Sequence, residues 1–505
     1  MEQFKMVAKT LQGLEEVLAR ELTELGANDV VQGCRVVTFS GDLEMMYRAN
    51  FCLRTALRIL KPIQEFTAYD ADGVYDAVKQ IDWNKYLDIR TSFAVDSVVY
   101  SEDFKHSKFV AYRVKDAIVD YFREQTGQRP NISVANPDIR LNIHISGNDC
   151  TLSLDSSGES LHKRGYRVGS VESPINEVLA AGMILMTGWR GECDFIDPMC
   201  GSGTIAIEAA LIARNIWPGI FHSHRYAFEN WDDFDADLLQ SIYNDDSHER
   251  PFEHKIYARD IDIAAANITA ANARSAGVSD CMEISVQSIQ EFTQPTQPTL
   301  MVTNPPYGER ISSPDLLDLY HTIGDRLKHQ FVGNDAWIIS YRQEGFAQIG
   351  LKPSLKIPLF NGALECELRK YQIFDGKFKD YRSEGGEIKT DDERRRMHNK
   401  RELPHRPAFK ERQDQESEDD IPEYLRLRHR SFMASRRREE ERDDRPRRRQ
   451  DRGFRDRDER NFRDRDNRNF RSREDRNFKG KQQFRGSDAP RRNSNFKKTR
   501  NNFKH

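Results

Sequence analysis

Asn304-Pro305-Pro306-Tyr307 is the stretch of this chain best suited to chemistry on a flat, amine-bearing molecule. It follows the apolar run Thr299–Thr303, which predicts a buried strand. In open α/β sheets, ligands bind just beyond the carboxyl ends of such strands. Two prolines in succession fix φ and remove two backbone donors. The turn is held extended, and the carbonyls of Asn304 and Pro305 lack neighbouring N–H partners. Such acceptors, beside the Tyr307 ring, suit a planar substrate with an exocyclic amine: oxygens accept its hydrogens while the ring stacks on its face. For an isolated Pro-Pro pair, a strand-ending turn with a packed tyrosine is the plainer explanation. A second motif upstream tips the balance toward chemistry.

That motif is Asp197-Pro198-Met199-Cys200-Gly201-Ser202-Gly203-Thr204, at the end of a buried strand and before the helix Ile205–Ala213. Glycines let the backbone approach a ligand closely, and a helix N-terminus offers free N–H groups. Gly201-x-Gly203-x-x-Ala206 fits a loose dinucleotide fingerprint, a weak signal by itself. No Gly-Lys-Ser/Thr follows, so it is not a P-loop. An NAD-dependent dehydrogenase fits this loop and nothing else. The next strand, Lys255–Arg259, ends in Asp260-Ile261-Asp262, where a carboxylate typically bridges ribose hydroxyls. The gap from Gly203 to Asp260 exceeds the usual ~20 residues. The excess is an insertion, roughly Trp217–Glu253, rich in aromatics and acids. It reads equally as a cap over the glycine loop or as a surface excursion.

The elements that must position these residues form an α/β succession. Residues 1–55 read as a small α/β unit: strand Phe4–Ala8, a helix with Leu14, Val17, Leu18 and Leu22 on one face and Gly26 at its end, strand Arg35–Phe39, and helix Leu43–Phe51. Residues 56–157 repeat the style, with helix Phe109–Phe122 and the strands Ile139–Ile145 and Cys150–Asp155 joined by a hairpin signal. Lys105, His106, Lys108, Arg113 and Lys115 cluster at the start of that helix. Cations there suit a phosphate contact, although a solvated face is the commoner meaning. A basic connector holding Lys163 and Arg164 leads to Ser173-Pro174, read as a helix start with proline first, and to the small residues Ala180, Ala181 and Gly182, fit for close packing. Residues 158–374 complete the set with a third strand, the helix Pro314–Phe331 and an antiparallel hairpin around Asn361-Gly362.

Residues 375–505 are polar and low in aliphatics, and disorder is the expectation. A short helix around Ile421–Glu441 is compatible with the pattern. From Ser431 onward there are 27 Lys/Arg against 14 Asp/Glu, a net of +13; the whole chain is −3, which leaves −16 on residues 1–430. Phe454, Phe462, Phe470 and Phe478 recur within Arg/Asp-rich units. Interleaved Arg and Phe pair with phosphates and stack on unpaired bases, so the tail points to nucleic acid; the plainer alternative is a solubilising tail. Seven scattered cysteines without a C-x-x-C pair argue against a metal site and a disulfide framework. The chain shows no signal-peptide pattern and no long apolar run, so a cytoplasmic protein without membrane partners is expected.

Asp197-Pro-Met-Cys-Gly-Ser-Gly-Thr204, Asp260-x-Asp262 and Asn304-Pro-Pro-Tyr-Gly-Glu-Arg310, in that order, resemble the THUMP-domain RNA methyltransferases. The nearest branch is the one acting on guanine N2 of large-subunit (23S) ribosomal RNA. Arg113–Phe122, Asn136–Arg140 and Ser157–Arg167 agree with it, and the similarity spans roughly residues 1–374. The resemblance implies a ferredoxin-like piece, a THUMP module that grips RNA, and a Rossmann-like domain using S-adenosyl-L-methionine without a metal. It places Asn304, Pro305, Pro306 and Tyr307 at the base. Asp197, Pro198, Cys200, Gly201, Ser202, Gly203, Thr204, Asp260 and Asp262 fall at the cofactor, with Ser288 standing where an acidic adenine contact is usual. Lys105, Lys108, Arg113, Lys163, Arg164 and Arg310 fall at RNA. Some members carry a second, fused methyltransferase; here the tail stands in its place, so one activity is expected. Transfer RNA guanine is the nearest rival substrate. DNA adenine N6 or a protein glutamine amide would use the same Asn-Pro-Pro-Tyr, and a non-catalytic RNA chaperone would leave it unexplained.

Overall fold

The computed structural model describes residues 2–294, 298–306 and 313–374. Tyr307, Arg310 and the tail beyond residue 374 therefore lie outside the described residues, and with them the Arg/Phe repeat. In chain order the first half is β1 (Phe4–Lys9), α1 (Glu15–Leu25), β2 (Asn28–Gln32), β3 (Val36–Gly41), α2 (Leu43–Cys52), β4 (Arg58–Thr67), α3 (Ala71–Lys79), β5 (Ser92–Tyr100), α4 (Ser107–Thr126), β6 (Asn131–Ile132), β7 (Ile139–Ser146) and β8 (Asp149–Asp155). These strands make one eight-stranded sheet in the order β2-β3-β1-β4-β8-β7-β5-β6. β4 pairs with β1 at its start and with β8 along its length, shifting register between Pro62 and Gln64. The expected boundary at residues 55/56 thus falls inside a continuous sheet.

The second half runs α5 (Glu177–Thr187), β9 (Asp194–Asp197), α6 (Thr204–Ala213), α7 (Ala236–Tyr243), β10 (Ile256–Asp260), α8 (Ile263–Ser275), β11 (Met282–Val286), β12 (Thr299–Thr303), α9 (Ser313–Gln330), β13 (Asp335–Ser340), α10 (Gln343–Gln348), β14 (Leu355–Asn361) and β15 (Leu364–Gln372). Its sheet has the order β11-β10-β9-β12-β13-β15-β14, with β15 antiparallel to both neighbours. β9 and β12 are buried throughout, which explains their unbroken apolar character as central parallel strands. β9 pairs with β10 on one side and β12 on the other. That makes its carboxyl end the point where the winding reverses, the place such sheets bind ligands.

Two sequence readings are corrected. α5 does not begin at Ser173-Pro174: Asn176 is its N-cap, its side chain accepting from Val178 N at 2.9 Å. Ser173 sits at φ +53°, a turn value that cannot open a helix. The aromatic insertion is neither a cap over the glycine loop nor a loose excursion. Tyr226, Phe228, Trp231 and Ile242 join the core of the first sheet. Phe228 stacks on Tyr47 at 4.2 Å, and Tyr47 Oη accepts from Asp235 N at 2.9 Å. The insertion is a strap that fastens the catalytic half to the N-terminal half. α1 adds a second fastening, placing Leu18 and Leu22 in one core and Leu14 and Val17 in the other. Gly182 of α5 allows this, since a Cβ there would lie 2.6 Å from Leu14.

Candidate active site

The glycine turn after β9 is held by backbone geometry that side chains disfavour. Gly201 has φ +56° and Gly203 φ +79°, and a Cβ on Gly203 would stand 2.6 Å from the Thr269 side chain. α8 braces the turn from behind. Thr269 Oγ1 donates to Gly201 O at 2.9 Å, and Asn272 Nδ2 donates to Ser202 O at 2.9 Å. Ser202 Oγ accepts from Val171 N at 2.8 Å. Ser202 thus serves the turn's own structure, as does the buried Cys200, whose thiol burial pushes well above its ordinary range.

Asp260 ties the second strand to the turn. Its Oδ2 accepts from Gly201 N at 2.8 Å and its Oδ1 from Asp262 N at 2.9 Å. A carboxylate has about four acceptor sites, so two remain for ligand hydroxyls. Asp262 is exposed and caps α8, accepting from Ala264 N at 2.8 Å, a structural duty that the sequence reading missed. Ser288 likewise caps a short turn, accepting from Gln290 N at 3.2 Å. Ile261 (74% exposed) and Val286 (51%) are apolar side chains left in the open at the ends of β10 and β11. They offer a face for a flat ring. Their signal in the sequence was a large apolar residue where the chain must leave the sheet.

Asp197, the last residue of β9, is buried, and its Oδ1 accepts from Thr303 Oγ1 at 2.8 Å and Met199 N at 3.3 Å. Thr303 is the last residue of β12, so this bond joins the glycine-turn strand to the residue before Asn304. The two motifs singled out in the sequence meet at one sheet edge. Burial pushes the Asp197 carboxyl up to about 7, the nearby Asp260 charge adds to that, and the two hydrogen bonds oppose it. Asn304 is half-buried, Pro305 buried and Pro306 exposed. Asn304 Oδ1 is shut off from solvent and accepts no hydrogen bond among the described residues. Leaving such an oxygen unpaired costs about 1–3 kcal/mol, which is the mark of an acceptor waiting for a donor.

The expected RNA contacts divide. Lys105 and Lys108 are exposed at the start of α4. Arg113 instead pairs with Asp72 at 2.6 Å and lies over the Tyr75 ring at 4.3 Å, holding α3 to α4. Lys163 is exposed, with Glu159 as its partner at 2.5 Å. Arg164 is buried: it donates to Leu161 O at 2.7 Å and to Arg54 O, and faces the buried Glu208 at 3.6 Å. Arg164 is corrected to a structural role, because its guanidinium is buried and donates to two backbone carbonyls; Arg113 also braces α3 against α4.

Three family patterns cover the chain in succession: the RlmL ferredoxin-like domain over residues 5–60, the THUMP domain over 68–155, and the RMKL-like methyltransferase domain over 164–370. A putative RNA methyltransferase of Synechocystis is 36% identical over 370 residues, spanning 73% of this chain and 96% of that protein. The chain belongs to the THUMP-domain RNA methyltransferases of the RlmK/L type. The ribosomal RNA large subunit methyltransferase K/L of Syntrophotalea carbinolica is 38% identical over 390 residues, covering 74% of this chain but 54% of that protein. The chain therefore spans about half the length of the K/L relatives. Among solved structures, a putative methyltransferase complexed with SAH aligns with TM-score 0.67 at 29% identity, over 75% of this chain and all of that one. A possible methylase from Clostridium difficile gives 0.67 at 30% identity, over 74% of this chain and all of the other. This RlmK/L-type methyltransferase uses S-adenosylmethionine. The glycine turn, the free acceptor capacity of Asp260 and the open Ile261 and Val286 faces fit that group. Among the described residues no helix is long and apolar enough to cross a membrane.

Proposed function

We propose that the enzyme methylates the exocyclic N2 amine of a guanine in 23S ribosomal RNA. The observation that carries this reading is the unpartnered Asn304 Oδ1 at the end of β12, joined through Thr303 to Asp197. The THUMP match and the K/L relatives support RNA as the substrate. When bound, S-adenosylmethionine supplies a methyl group made electrophilic by a sulfonium. A guanine N2 amine is a poor nucleophile, because its lone pair is delocalised into the ring. Asn304 Oδ1 and the Pro305 carbonyl accept its two hydrogens, which turns the lone pair out of conjugation and holds it for in-line attack. The methyl–sulfur bond would break as the N–C bond forms, leaving a neutral thioether, and the amine would shed one proton to solvent. Tyr307 stacks on the base, which must be unpaired or flipped at a cost of a few kcal/mol. Asp197 and the Gly201–Thr204 turn hold the methionine end of the cofactor, and Asp260 the ribose. Incubation with tritiated cofactor and separated RNA, DNA and protein fractions tests the substrate class. Label in RNA supports the reading, and label in DNA or protein alone refutes it.

Asp197 gives a pH test. Its raised value means that the folded, ligand-free chain favours the protonated acid. That contribution to stability is full below the ordinary carboxylate range and is lost as pH rises through about 7. A cationic ligand favours the ionised form, so cofactor affinity rises as pH passes through 7, with proton release. Calorimetry from pH 6 to 8 measures this, and Asp197→Asn flattens the profile. The tail gives a second test. Deleting residues 431–505 leaves methyl transfer intact and weakens RNA affinity, most at low salt; equal affinity at every salt concentration dismisses the tail as an RNA contact.

A further inference from the structure

A cleft of about 550 Å³ lies beside the cofactor turn, lined by Glu159, His162, Lys163, Arg167, Asn176 and His224 among others. Asp197, Gly201, Asp260 and Asn304 are not among its walls, so it is separate from the cofactor and base contacts. One link joins the two: Arg167 Nη2 donates to Thr204 Oγ1, the first residue of α6, at 2.9 Å. The cleft's lining comes from the connector between the THUMP and methyltransferase matches, which end at 155 and begin at 164, and from residues 174–177 at the start of α5. The start of the strap adds Ser223 and His224. Connector and strap are pressed together at Gly165, where φ is +105° and a Cβ would lie 2.0 Å from Phe221 O.

The geometry points to this cleft as a seat for a backbone phosphate of the RNA strand that carries the target base. The inference rests on the RNA reading above and adds a site to it. Lys163 is exposed and has three N–H donors, of which Glu159 takes one at 2.5 Å. Arg167 spends Nε on Glu177 at 2.8 Å and Nη2 on Thr204, and its Nη1, shut off from solvent, has no acceptor among the described residues, so its charge acts on the cleft from behind the wall. Each acid faces a cation or a histidine: Glu159 faces Lys163 and, at 3.0 Å, His224; Glu177 faces Arg167; Glu208, behind, faces Arg164 at 3.6 Å. The two remaining N–H groups of Lys163 are the exposed charged donors of the cleft, and a phosphate oxygen is an acceptor that suits them.

Two substitutions of opposite sign test the seat in the full chain. The probes are an unmodified large-subunit ribosomal RNA transcript, titrated at several salt concentrations, and S-adenosylhomocysteine. Lys163→Glu is expected to weaken RNA binding about tenfold and to lower the slope of log affinity against log salt by about 0.7–0.9, one phosphate contact. Glu159→Gln, which releases Lys163 from its partner, is expected to tighten RNA binding, an outcome that loss of a structural contact does not produce. Both variants keep wild-type affinity for S-adenosylhomocysteine. Unchanged RNA affinity and slope in both overturns the seat, as does a loss of S-adenosylhomocysteine affinity with RNA binding intact, which would give the cleft to the cofactor. If the wild-type chain fails to bind the transcript, the RNA reading itself fails and the seat with it.

Discussion

Replacing Asn304 by alanine is expected to lower the rate of methyl transfer by at least ~10²-fold, the usual effect of deleting one pre-organised hydrogen-bonding group at a reacting centre. Binding of S-adenosylhomocysteine should stay within about threefold of wild type, since Asn304 lies beyond the turn that grips the cofactor. The asymmetry follows from geometry. Asn304 Oδ1 accepts from no donor among the described residues, so its removal frees none of them and leaves Thr303 Oγ1 on Asp197. Stability should hold or rise slightly, because an oxygen that was buried at a cost is gone. Single-turnover assays with saturating RNA measure the rate, and calorimetry measures the binding. Normal turnover in the variant would remove Asn304 from the mechanism.

Asp260→Ala is expected to act in the opposite sense, on binding before rate. Its carboxylate is accepting from Gly201 N and Asp262 N, so the substitution unties the glycine turn from β10 and uncouples the capped start of α8. Hydrogen bonds to a charged group contribute about 1.5–3 kcal/mol each, and the loss of ribose contacts adds to this. S-adenosylhomocysteine affinity should fall roughly 10- to 100-fold on that scale. Asp260→Asn keeps the acceptor Oδ1 while losing the charge, and should show an intermediate loss. Wild-type affinity in the alanine variant would show that neither the turn nor the ribose depends on this carboxylate.

Much of this architecture was written in local pattern. The central strands β9 and β12 are short apolar runs because both faces are covered, and the residues that end them, Asp197 and Thr303, meet through a hydrogen bond. That meeting could be expected from the two motifs only once a parallel sheet was assumed. What stayed hidden depended on distant partners. β2, Asn-Asp-Val-Val-Gln, is mostly exposed and polar, and is a strand because β3 supplies its hydrogen bonds. The insertion was misjudged because its aromatics announce burial without saying against what; Tyr47, far away in the chain, is the answer. Arg113 and Arg164 look in sequence like any exposed cation beside Lys108 and Lys163. Only folding shows that Asp72 pairs with the first and that Leu161 O and Arg54 O take the second into the interior. Asp262 and Ser288 carried the Ser/Asp signature of helix caps as well as of ligand contacts, and position alone did not separate the two meanings.

The central claim is that a stiff acceptor corner after β12 steers a guanine amine. Its most direct test is mass mapping of nucleosides from an unmodified large-subunit ribosomal RNA transcript incubated with the enzyme and S-adenosylmethionine. N2-methylguanosine at a discrete position, absent from the Asn304→Ala reaction, is the predicted result. Methylation on adenosine, or RNA that stays unmodified while another class of substrate is labelled, would contradict it.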